Sequence, residues 1–403
     1  MILEQQALAE LLTYCRANNW AGYDPYDALN SGLLKALPFL DLKLPRLVLT
    51  QALKRSPVNI RPLAMVPKTQ NPKAMGLFLS AFVKLSRSGK TEYDGWANYM
   101  IERLVEMRSP GMNQFCWGYS FPWQMRTELV PSGAPNLVCT TFALNGLMDA
   151  YEHNGDSRCL EMAVSGADYM LSLYWREGRT ASFCYPLTST PAPIHNANFL
   201  AAALLCRLHL HTGEKKYLEP ALAAARYSAS QQEADGSWRY GMAPTATWKD
   251  NFHTGFNLCA LKDIGCYART AEFESAMLRG FQFYRDHFFR EDGAAKYYHN
   301  ETYPIDIHSV AQSIITLDAF SHLDSNNIAL ARRVSQWALK NMRDERGFFY
   351  YRVLRTCTIR TPYMRWSQAW MVLALATLAR ETGGLEDQAP PKAADLRTVG
   401  WPC

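Results

Sequence analysis

The sequence predicts an all-α fold: a closed (α/α) toroid of six or seven helical hairpins, with short β-strands in its loops. Three observations predict it. First, a polar cluster opens an apolar helix again and again, at Pro135-Asn136, His195-Asn196-Ala197-Asn198, Asp250-Asn251-Phe252-His253, Asp306-Ile307-His308-Ser309 and Tyr363-Met364-Arg365-Trp366. These clusters recur about every 55–60 residues, the period of a repeat array. Second, helices apolar nearly all round (Phe199 to Leu205, Ala369 to Leu378) alternate with charge-striped ones (Glu214 to Tyr227, Ala271 to Arg285). The first kind is built for burial and the second to face water. Third, a short aromatic strand and a loop precede the polar clusters, as in Phe115 to Tyr119, Ser182 to Tyr185, Ala294 to Tyr298 and Gly347 to Tyr351. A two-helix hairpin cannot bury its inner helix alone, and closing the array into a ring removes its exposed ends.

Each element has its own signal. Glu4 to Asn18 is an amphipathic first helix. Asp24-Pro25 and Asn71-Pro72-Lys73 are cap-then-proline starts. Leu42 to Arg55 and Tyr93 to Met107 read as helices between them. Gly155, Gly213 and Gly383 come just after the last periodic residue of their helices, as C-caps do. One start per inner helix gives Asp24, Asn71, Asn136, Asn196, Asn251, Asp306 and Arg365. Residues 1–383 form one toroid on this reading, and 384–403 an extended tail.

Composition excludes several classes. The 403 residues are 48% hydrophobic and 20% charged, with net charge +5, which is globular and only mildly basic. No Lys/Arg block suggests nucleic-acid binding, and no apolar run is long enough for a bilayer span. The ten cysteines are scattered without metal-ligand spacing, so no metal and no cofactor is expected. Buried free thiols and an amphipathic N-terminus without a signal-peptide pattern predict a cytoplasmic protein. Nucleotide, zinc-protease and serine-hydrolase motifs are absent.

In a toroid the inner helices run parallel, so their starts converge on one end. That gathers Asp24, Asn71, Lys73, His195, Asn196, Asn198, Asp250, His253, Asp306, His308, Tyr363, Arg365 and Trp366 around one funnel. Aromatic residues of the strands and loops (Trp117, Trp123, Tyr185, Trp238, Trp248, Tyr298, Tyr303) are expected to rim it. Helix N-termini favour an anionic ligand, and rings stack on the apolar faces of sugars.

The module resembles the (α/α)6-toroid carbohydrate enzymes: six-hairpin glycosidases, uronate lyases and sugar epimerases. The resemblance is architectural and spans nearly the whole chain. Gln231 to Trp238 also resembles the Q-x-x-D-G-x-W repeat of squalene-cyclase-type toroids, but the acidic DxDD centre of that chemistry is missing.

The expected chemistry is proton abstraction on an acidic sugar unit of an oligosaccharide or polysaccharide, of uronate epimerase or lyase type. His253 and His308, with Tyr363, carry the protons, because histidine titrates near neutrality. Asp250 and Asp306 orient the imidazoles. Arg365 and helix N-termini bind the acid group, since arginine grips carboxylates bidentately. Trp238 and Trp366 stack on the ring. His195, Asn196, Asn198, Asp24, Asn71 and Lys73 complete the substrate contacts. Helix-start aspartates are also common caps, and these histidines have an ordinary capping alternative. Two further readings stay open: a glycoside hydrolase using a pair of aspartates, and a non-catalytic glycan-binding toroid associated with polysaccharide-assembly proteins.

Overall fold

The computed structural model describes residues 2–37, 42–125, 128–186 and 192–379. The C-cap expected at Gly383 and the tail 384–403 lie outside these residues. Six inner helices carry the fold: α4 (Pro72–Arg87), α6 (Leu137–Asn154), α8 (His195–Thr212), α10 (Asn251–Tyr267), α12 (Ile307–Ala319) and α14 (Ala369–Ala379). Each packs on the next, and α14 packs back on α4, so the ring closes at six. Five outer helices each come after their inner partner: α5 (Asp94–Glu106), α7 (Ser157–Ser172), α9 (Lys215–Ser230), α11 (Glu274–His287) and α13 (Asn326–Asn341). The sixth outer helix is α1 (Ile2–Ala17), which packs on α13 and α14. The start of the chain thus completes the last hairpin.

The helix starts are chemically explicit. Asn71 Oδ1 accepts from the Lys73 N–H at 3.1 Å, and Pro72 occupies the first turn, where its missing N–H is not needed. Asn136 caps α6 through the Cys139 N–H at 2.9 Å. Asp250 and Asp306 cap α10 and α12 in the same way. Gly155 and Gly213 end α6 and α8 at φ 73° and 72°, a left-handed conformation that costs a residue with a Cβ.

Asp24 does not begin a seventh inner helix. Its Oδ1 accepts from the Tyr26 N–H, and its own N–H donates to Asp27 Oδ2. These bonds fold residues 24–27 into a tight turn. The chain continues through a single 3₁₀ turn, Asp27–Asn30, into the short α2 (Gly32–Ala36) and α3 (Lys43–Arg55). These form a lobe on a small cluster of their own, Ala28, Leu53 and Val66.

The aromatic strands are shorter than expected. Among the described residues, regular pairing is confined to β1 (Trp123–Gln124) with β2 (Leu129–Val130), β3 (Tyr174–Glu177) with β4 (Thr180–Phe183), and the sheet of β5 (Ile305–Asp306), β6 (Arg352–Val353) and β7 (Thr358–Ile359), all antiparallel. Elsewhere the chain is extended and makes single bridges, such as Asp250 with Tyr298. Two predicted rim residues point inward instead. Trp117 and Trp238 are buried, and their indole N–H groups donate to Leu104 O and Ser228 O on the preceding outer helices. A large ring with one buried donor fits the seam between helices better than an open mouth.

Eight described cysteines are free, most of them buried, whereas Cys266 is disulfide-bonded. No described helix is long and apolar enough to cross a membrane.

The tightest inner seam is α4 against α6. A Cβ on Gly76 would lie 2.4 Å from Phe142 O, and one on Gly146 would lie 2.7 Å from Gly76 O. Backbone cannot yield there as a flexible side chain can. Gly76→Ala is expected to destabilise the protein by about 1–3 kcal/mol, read from the urea midpoint. An unchanged midpoint would mean that the ring breathes at this seam.

Candidate functional site

The first turns of the six inner helices converge on one cavity of about 560 Å³. The register is simple. The second residue of each inner helix faces in: Lys73, Val138, Asn196, Phe252 and His308 on α4 to α12, and Arg365 in the π-helical turn Met364–Gln368 that leads into α14. His253, the third residue of α10, and Trp366 join them. Tyr26, Trp123, Tyr185, Tyr240, Trp248 and Tyr297 are among the aromatic residues above. No Asp or Glu is among the described residues lining the cavity, whereas Lys73 and Arg365 are.

His253 is held in one orientation by the cap of its own helix. Asp250 is the N-cap of α10 and His253 the third residue after it, the spacing at which a capping box folds a side chain back onto the cap. Accordingly His253 Nδ1 lies 2.7 Å from Asp250 Oδ2. The same oxygen accepts from Trp248 Nε1 at 3.0 Å, and Asp250 Oδ1 accepts the His253 N–H at 2.9 Å. An ionised carboxylate only accepts, so the imidazole proton belongs on Nδ1 and the lone pair on Nε2. Tyr240 packs on the ring at 4.6 Å.

His308 is different because its cap is two residues back rather than three. Asp306 Oδ1 accepts the His308 N–H at 2.8 Å, but the imidazole does not reach the carboxylate. It lies instead between Phe252 and Trp370, both 4.4 Å away, with Trp366 edge-on at 4.7 Å. Neither ring nitrogen has a hydrogen-bond partner among the described residues. Burial, then the nearby Lys73 and Arg365 charges, hold its pKa well below the usual value. His308 is therefore a neutral hydrogen-bonding group near pH 7. In a pH titration by nitrogen-15 NMR its ring signals are expected to stay those of neutral imidazole through the range in which an ordinary histidine side chain protonates; protonation in that ordinary range would refute this.

Lys73 forms part of the cavity floor. Its Nζ lies 4.1 Å from the centre of the Phe142 ring, 5.4 Å from Trp370 and 5.6 Å from Phe256. The three rings pack on one another at 5.3–5.5 Å. Desolvation, then the Arg365 charge, push the ammonium pKa well below its ordinary value. Asn196 adds a buried Oδ1 without a hydrogen-bond partner among the described residues. Such groups cost about 1–3 kcal/mol each when left unsatisfied, and they cluster where a polar ligand would satisfy them.

Arg365 is partly compensated from behind. Its Nε and Nη2 donate to the two carboxylate oxygens of Asp24 at 2.6 and 2.8 Å. Asp24 is thus a partner of the arginine and not a residue of the cavity lining. Asp306 is likewise engaged, by Arg352 across the β5–β6 pair and by Trp366 Nε1 at 2.9 Å. Asn71 caps α4 and donates to Ser120 Oγ.

Besides Asp24, Asn71, Asp250 and Asp306, four more expected site residues lie outside the cavity lining. His195 is the first residue of α8, one position off the inward register, and its Nδ1 meets Ser228 Oγ at 3.2 Å. Its burial lowers its pKa to about 4. Asn198 is consumed by Ser182, the Phe183 N–H and Ser228. Trp238 is in the seam described above. Tyr363 is buried beneath the Arg61 guanidinium, 4.7 Å away. The residues that sequence reasoning missed are mainly aromatic: Tyr26, Phe252, Tyr240 and Tyr297. The inward second-residue register would have found Phe252.

No protein-family model and no curated protein matches the sequence. Among solved structures, the fold is that of the (α/α)6-toroid carbohydrate-active enzymes. The cellobiose 2-epimerase of Bacillus thermoamylovorans superposes with TM-score 0.61 at 11% identity, over 77% of this chain and 88% of its own. The unsaturated glucuronyl hydrolase UGL, described with dGlcA-Glc-Rha-Glc, superposes with TM-score 0.62 at 12% identity, over 93% and 95%. The GH76 α-mannanase of Bacteroides thetaiotaomicron gives 0.60 at 14% identity, over 79% and 89%. At these identities the likeness is one of fold.

Proposed function

We propose that the protein is a carbohydrate-active enzyme that removes a ring C–H proton beside the carboxylate of an acidic sugar unit. The observation that carries this reading is an oriented imidazole, His253, in a cavity whose described lining holds a lysine and an arginine and no carboxylate. Lys73 and Arg365 take the substrate carboxylate and stabilise the charge that spreads onto it as the proton leaves. A bound carboxylate also favours the ammonium form of Lys73. Neutral His308 and Asn196 accept hydrogen bonds from sugar hydroxyls, and the aromatic walls stack on the ring. Returning the proton to the opposite face gives epimerisation. Expelling the substituent on the next carbon gives elimination. A two-carboxylate hydrolase is less well supported, because Asp250 and Asp306 are engaged by His253, Trp248, Arg352 and Trp366.

The test is proton NMR in D2O with a panel of acidic oligosaccharides. Deuterium entering at a ring carbon, or a new olefinic signal, is the expected result. New reducing-end signals alone would mean hydrolysis. Line broadening without product would mean a binding protein.

A further inference from the structure

Apart from Asp24 and Tyr26, the lobe of residues 24–36 and 42–70 lies away from the cavity, yet it carries the most exposed apolar side chains described. Leu42, Leu44, Val48 and Leu63 are 63%, 71%, 59% and 82% exposed. Leu44 and Val48 lie one turn apart on the outward face of α3, with Arg55 in line two turns further on, and all three are exposed. The opposite face of α3 is occupied: Leu53 packs with Ala28 and Val66, and the Arg61 guanidinium donates to Leu53 O, Asp24 O and Asp27. The outward face is therefore not a core side waiting to be turned in.

Its charge is one-sided. Between Leu42 and Gln70 there is no Asp or Glu, and of six Lys/Arg only Arg61 is buried, against Asp27. Lys43 and Arg55 of α3 are exposed. Exposed leucine and valine flanked by basic side chains, with no acidic residue, is the pattern of a helix lying in the interface of an anionic membrane: the apolar face enters the acyl boundary while the basic groups stay with the headgroups.

We infer that α3 docks this protein on an anionic phospholipid bilayer. The position of the lobe ties that surface to the cavity. Arg46 Nη1 donates to Gln124 Oε1 at 3.1 Å, beside Trp123 of the wall, and Lys54 Nζ donates to Tyr26 Oη at 2.7 Å. Two cavity-wall segments therefore rest directly against the helix that would meet the lipid. The inference stands independently of the reaction assigned to the cavity.

The experiment is co-sedimentation of the full chain with vesicles of phosphatidylcholine, with and without phosphatidylglycerol. Binding is expected only when phosphatidylglycerol is present, and it should weaken with added salt. Leu44→Glu/Val48→Glu and Lys43→Glu/Arg55→Glu should each lower partitioning by about tenfold or more. All four positions are exposed, so melting temperature and turnover of a soluble substrate should not change; that separates failure here from failure of the proposed reaction. Equal binding to both vesicles, no binding, or binding unaltered in the variants overturns the inference. Self-association of the wild type that the Leu44→Glu/Val48→Glu variant abolishes would also overturn it, by assigning the face to a second copy of the chain.

Discussion

His253→Ala is expected to lower turnover by about 10²–10⁴-fold, the usual contribution of a positioned general base, with no change in melting temperature. The ring lies at the cavity wall, and its removal opens no core seam. Asp250→Asn should cost about 10–100-fold, the usual scale for losing the group that orients such a ring. The amide can still accept at its oxygen, but it can also present an N–H to Nδ1, which moves the imidazole proton to Nε2 and removes the lone pair from the cavity. Full activity in His253→Ala would end the proposed mechanism. Loss in Asp306→Asn with tolerance at His253 would move the assignment to carboxylate chemistry.

The second large effect is on stability. Asp24 and Arg365 are 341 positions apart in sequence and form a buried, bidentate ion pair. It joins the N-terminal lobe to the turn that begins the last inner helix. Removing one partner of such a pair leaves the other charge buried and uncompensated, at a cost of about 3–5 kcal/mol. Asp24→Ala should therefore lower the unfolding free energy by about that amount in urea titration, and Asp24→Ala/Arg365→Met should recover much of it. A single-variant loss below about 1 kcal/mol would show that water reaches the guanidinium and that the pair contributes little.

The partition between sequence and structure tracks the range of the interactions involved. Helix starts were legible because capping is local: Asn71, Asn136, Asp250 and Asp306 each bond an N–H two or three residues away. The toroid was legible because inner and outer helices differ in apolar coverage at a steady period, and only a ring buries such a series. The contrast between His253 and His308 was also present as a spacing of three against two from the preceding aspartate, although both were expected to play one role. The sequence could not show which first-turn residue faces the axis. One position is a rotation of about 100° around a helix, enough to send His195 to Ser228 while Asn196 enters the cavity. Nor could it tell a rim tryptophan from one that donates to an outer-helix carbonyl, since both occupy an aromatic strand. The pairing of Arg365 with Asp24 and of Arg352 with Asp306 was equally hidden. Such charges find each other through ring closure and sheet register rather than through any local pattern. The sequence by itself determined most of the helices, the caps at Asn71, Asn136, Asp250 and Asp306, and a closed ring of six or seven hairpins. Only the tertiary structure decided which polar groups face the axis and which are spent holding it together, because that choice depends on side-chain direction and on partners far away along the chain.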